Sequence, residues 1–69
     1  MIRTDQELRA TQERIAYFQQ LLAQLRVTSD PEEFPFVASG YRSELEKMHR
    51  DVLDYLTRHA TQPAPAEVA

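Results

Sequence analysis

Apolar residues recur at helical spacing in two separate stretches of this chain, with mostly polar residues between them. In the first, Leu8, Ile15 and Leu22 stand one heptad apart, and Thr11, Phe18 and Leu25 form the neighbouring line. A seam of this kind under-winds a helix slightly and lays it lengthwise against another. Thr4 and Glu7 have capping-box spacing, and the acidic Asp5 and Glu7 suit the positive end of a helix dipole. The pattern predicts a first helix over 5–26, free of glycine and proline, with Arg26 near its negative end.

The second stretch carries Tyr41, Leu45, Met48, Val52 and Tyr55 in a 4-3-4-3 spacing, which predicts a second helix over 36–59. Carried backwards, the same line reaches Ala38 and Phe34, so its register survives Gly40. Leu21, Leu53 and Leu56 lie off the two seams and widen the apolar stripes, as a bundle face requires. On the polar side, Arg42, Glu46, Arg50, Asp54 and Arg58 alternate in sign every four residues. Such a ladder neutralises itself and contributes only tenths of a kcal/mol per pair.

Between the helices, Asp30-Pro31-Glu32-Glu33 resembles a helix start, with Asp as cap and Pro at the first helical position. Pro35 removes a donor and biases Phe34 away from helical angles, so a single turn is expected there. Phe34, Phe36 and Val37 are too apolar for a free loop. Either they fold back and plug the end of the helix pair, the favoured expectation, or they form an anchor for a partner protein. Beyond His59, Pro63 and Pro65 stop further helix, and a disordered tail is expected over 60–69. The domain division is therefore a hairpin over 1–59 followed by that tail.

At 69 residues the chain holds one domain at most, and two helices alone give a thin core. A second copy would let each stripe bury more, which favours a homodimer. Eleven acidic residues against eight basic ones give a net charge of −3, a poor match for a phosphate backbone. Direct nucleic-acid binding is not expected on that ground. No apolar run approaches the roughly 20 residues of a membrane span, so no membrane association is expected, and a cytoplasmic location follows as the default. With no cysteine, disulfides and thiolate metal sites are excluded.

Candidate chemistry is sparse. Glu46-Lys47-Met48-His49 has the Glu-x-x-His spacing of carboxylate-bridged metal sites in helix bundles. Leu45 and Met48 occupy the seam, however, which turns Glu46 outward and leaves His49 at the margin. No metal or cofactor is expected. Ser29, Ser39 and Ser43 lack any evident base or oxyanion site, so no catalytic residue is expected either. Tyr41 and Tyr55 belong to the seam with their hydroxyls at its rim, whereas Tyr17 points away and could serve a second contact surface.

Two segments carry a resemblance. Ile2-x-Thr4-Asp5-x-Glu7-Leu8-x-x-Thr11 with Ile15 and Phe18 resembles the helical hairpin that opens helix-turn-helix antitoxins of the host-inhibition-of-growth type. Tyr41-Arg42-Ser43-Glu44-Leu45-Glu46, followed by Asp51-Val52-x-Asp54-Tyr55, resembles it too, as it does stand-alone helical hairpins of unknown function. The likeness spans about residues 2–56 and implies a helical interaction module in a bacterial regulatory setting. The Pro/Ala-rich stretch after His59 is not expected to supply the DNA-reading domain of those antitoxins.

The expectation is thus an all-α antiparallel hairpin that dimerises into a four-helix bundle. Its interface would use Leu8, Ile15, Phe18, Leu22 and Leu25 from the first helix. Tyr41, Leu45, Met48, Val52 and Tyr55 would come from the second. Phe34, Phe36 and Tyr17 are the candidate contacts for a protein partner. The expected role is a non-enzymatic adaptor or regulator. The alternative is a DNA-associated or toxin–antitoxin-like component without its own reading domain.

Overall fold

The computed structural model describes residues 1–61, so the segment 62–69, which holds most of the expected tail, lies outside the described residues. Two helices, α1 (Asp5–Thr28) and α2 (Phe34–Leu56), pack against each other as an antiparallel hairpin. Among the described residues there is no strand, and no helix is long and apolar enough to cross a membrane.

Helix α1 begins where the capping pattern places it. Thr4 has extended backbone angles, its hydroxyl oxygen accepts the Glu7 N–H at 3.1 Å, and its carbonyl accepts the Leu8 N–H at 3.0 Å. The reciprocal half of the box differs. The Glu7 carboxylate accepts from the Thr4 hydroxyl at 3.5 Å, whereas a full capping box would turn it to the cap's own N–H. The helix outlasts the predicted end at Arg26 by two residues, because Thr28 returns its hydroxyl to the Gln24 carbonyl at 3.0 Å. The chain then leaves the helix at Ser29, whose N–H still reaches the Leu25 carbonyl at 2.9 Å.

A single turn follows. The Asp30 carbonyl accepts the N–H groups of Glu33 and Phe34 at 3.0 and 2.9 Å. Here the predicted start of α2 needs correction: the helix opens at Phe34, two residues before Phe36. Pro35 sits in the first turn, where its missing N–H would have lacked a partner anyway. The turn satisfies the Phe34 N–H, and the Glu33 carbonyl takes those of Phe36 and Val37. With those donors satisfied, the steric bias on a residue before proline is overridden. Gly40 passes through the helix without positive φ.

The predicted end of α2 also moves, from His59 back to Leu56. Thr57 bonds its hydroxyl to the Leu53 carbonyl at 2.7 Å, and Arg58 closes a shorter bond loop onto Tyr55. His59 accepts the Thr61 N–H on Nδ1 at 3.2 Å, fixing a turn. His59 therefore lies just past the end of the helix.

Ile15, Leu45 and Met48 form the buried centre, with Phe18, Leu22 and Val52 packed around it. Ile2, ahead of α1, is the least exposed of the buried residues at 4%. No large side chain is fully enclosed among the described residues, which is what two helices without a third layer can achieve.

Candidate interaction surface

All ten seam residues face the interior to some degree. Ile15, Leu45 and Met48 are buried, and Leu8, Phe18, Leu22, Leu25, Tyr41, Val52 and Tyr55 are half-buried. Thr11 and Ala38, which complete the two lines, are half-buried as well. The helices thus meet along their seams and leave a flank open on either side.

One flank carries a groove of about 750 Å³ beside the connecting turn. Its floor is apolar, built from Leu22 and Ala23 of α1 and Phe34, Ala38 and Leu45 of α2. Arg26, Arg42, Glu46 and His49 stand around it, with Arg42 and Glu46 paired at 3.2 Å. The Glu46 and His49 spacing that suggests a metal ligand pair thus belongs to the wall of an apolar hollow. No group of three or more histidines and carboxylates among the described residues is arranged to hold a metal ion.

The other flank carries aromatic rings. Phe18 meets Tyr41 edge to face at 5.3 Å between centroids and 84°, and Tyr17 leans on Phe18 at 6.1 Å. Edge-to-face packing matches the positive rim of one ring to the negative face of the other. Tyr17 is 59% exposed, so the ring that periodicity places off the seam does lie at the surface.

The connecting segment divides. Phe34 turns inward and is half-buried, while Phe36 is 81% exposed and Val37 41%. The expectation that all three plug the hairpin is therefore corrected. Once the helix starts at Phe34, its period points that residue along the seam and sends Phe36 to the opposite side.

The far end of the hairpin is closed by contacts that periodicity does not announce. The Tyr55 hydroxyl donates to Asp5 Oδ1 at 2.7 Å, and the N-terminal ammonium lies 3.8 Å from Asp51 Oδ2. The bond to Asp5 raises the Tyr55 pKa above its ordinary 10.0, aided by slight desolvation and the Asp5 charge. Ile2 is buried at this end and lines a hollow together with Asp5 and Tyr55. Its signal in the sequence is a lone apolar residue just before a capped helix, close to hydrophobic-staple placement. A search that starts at the cap passes over it.

Compared with family models, with curated proteins and with solved structures, the chain has no significant match in any of the three.

Proposed function

We propose that this chain is a non-enzymatic helical interaction module that acts as a homodimer, two hairpins forming a four-helix bundle. The observation that carries this reading is the excess of apolar stripe over what one partner helix covers. Leu53 and Leu56 remain 61% and 57% exposed, and the groove floor stays open to water. Burying such surface is worth about 25 cal/mol per Å², so a second hairpin would stabilise the first. The resemblance to hairpins that open antitoxin-type regulators supports a regulatory setting in a bacterial cytoplasm.

Light scattering across a dilution series tests the reading directly. The expected result is twice the chain mass at high concentration, falling towards one chain mass on dilution. A single chain mass throughout, with a sharp thermal transition, would remove the dimer.

A further inference from the structure

The groove and the two exposed leucines lie on one continuous stripe of α2. From α2 the groove takes Pro35, Ala38, Arg42, Leu45 and His49, a 3-4-3-4 run. Leu53 lies four residues past His49 and Leu56 three beyond that, so both stay on the same broad face of the helix. One flank of the hairpin therefore presents an apolar hollow in the half near the turn and apolar projections in the other half. Groove centre and leucines are roughly 19 Å apart along α2 at 1.5 Å per residue.

A surface with a hollow and a matching projection at opposite ends is self-complementary under a two-fold axis crossing the helices between them. We infer that the second copy packs on this flank with its α2 antiparallel, so that Leu53 and Leu56 of each chain fill the groove of the other. The inference rests on the homodimer reading and adds to it a face and an orientation. One register brings the leucines over the groove. It sets Leu53 against Arg42, Leu56 against Ser39, and Glu46 against His49, each pairing occurring twice by symmetry. A carboxylate then meets an imidazole N–H on either side of the axis, and the Arg42 stem lies along leucine. From α1 this flank adds Gln19, Leu22 and Ala23, with Arg26 at the groove's edge.

The aromatic flank lacks this complementarity. Its α2 stripe runs Val37, Tyr41, Glu44, Met48, Asp51, Tyr55 and Arg58, with charged residues interrupting the apolar ones along its length. The same two-fold operation would lay Val37 of one chain against Arg58 of the other and set the Glu44 and Asp51 carboxylates against each other. Charges that lose water without a matched partner oppose association. The Tyr17, Phe18 and Tyr41 rings thus stay available on the outside of the dimer.

Sedimentation equilibrium on the full chain separates the possibilities. Leu53 and Leu56 are exposed within the hairpin, so Leu53→Glu with Leu56→Glu leaves its helical circular dichroism intact. The paired change is expected to weaken dimerisation by at least about tenfold, whereas Tyr17→Glu leaves it unchanged. Because the chain has no cysteine, a mixture of Ser39→Cys and Leu56→Cys chains is expected to oxidise to the mixed disulfide dimer. Loss of the dimer with Tyr17→Glu and its survival with the leucine pair changed would overturn the face while keeping the homodimer. Crosslinking of Ser39→Cys only to itself would overturn the orientation. A monomeric wild type would remove the homodimer reading together with this one.

Discussion

The two ends of the hairpin are built on opposite principles. At the open end, where the start of α1 meets the end of α2, contacts come from residues far apart in sequence: Tyr55 reaches Asp5, the N-terminal ammonium nears Asp51, and Ile2 is buried close to Asp5 and Tyr55. At the turn end, contacts are local, since the Asp30 and Glu33 carbonyls bind the next few N–H groups. The large apolar residues there point mostly outward, with Val27 74% and Phe36 81% exposed. A turn that closes through its own backbone needs no apolar plug, so its side chains are left for other surfaces. Two helix ends not joined by a loop do need one.

The largest effect is expected at the open end. Ile2→Ala removes the least exposed of the buried side chains, and such truncations cost about 2–5 kcal/mol in full cores. Near a terminus the chain can partly collapse into the gap, so a loss of about 2 kcal/mol is expected, read by urea denaturation. A loss within about 0.5 kcal/mol, the range of ordinary surface changes, would mean that the open end is not closed by this residue.

The turn-side half of α2 is expected to respond in the opposite direction. Gly40 has no positive φ, and a Cβ built on it meets nothing within 4 Å. Gly40→Ala is therefore expected to raise stability by about 0.5–1 kcal/mol through helix propensity alone. Destabilisation would show that a backbone needs to approach Gly40 closely, and the approaching chain would then be another copy, since this one leaves the space open.

These two positions also mark what the sequence makes legible. Heptad spacing alone finds the seam from Leu8 to Leu25 and from Tyr41 to Tyr55, because helical period and lengthwise packing are both local rules. It carries the register through Gly40. It misses Ile2, since a single residue outside a helix has no period. The Tyr55 to Asp5 bond spans 50 positions and depends on the two helices meeting in one particular register. The start of α2 at Phe34 is missed for a third reason: the bias against helix before proline is small enough for two backbone hydrogen bonds to overcome.

Tyr55→Phe sharpens the open end with a smaller effect and a pH signature. The folded-state pKa of this phenol is raised, so its contribution to stability is fully present below the unfolded value near 10.0. It is lost as pH rises through the higher folded value. Wild type is expected to exceed Tyr55→Phe in melting temperature at neutral pH, with the difference fading in alkali. Ultraviolet titration of tyrosinate is expected to lose its latest-ionising step in the variant. A lost step that titrates no later than the other two would mean that the Asp5 bond does not form in solution.

The smallest effect on the hairpin is expected at the turn end. Phe36→Ser alters a ring that is 81% exposed and lies opposite the seam, so hairpin stability is expected to shift by no more than about 0.5 kcal/mol. Phe34→Ser serves as the internal control, because its ring is half-buried and forms part of the groove floor. It is expected to lower both melting temperature and dimer affinity, whereas Phe36→Ser lowers neither. The two phenylalanines flank one proline and share one local environment in sequence. A large stability loss from Phe36→Ser would return that ring to the interior and end the contrast between a turn closed by its backbone and an open end closed by side chains.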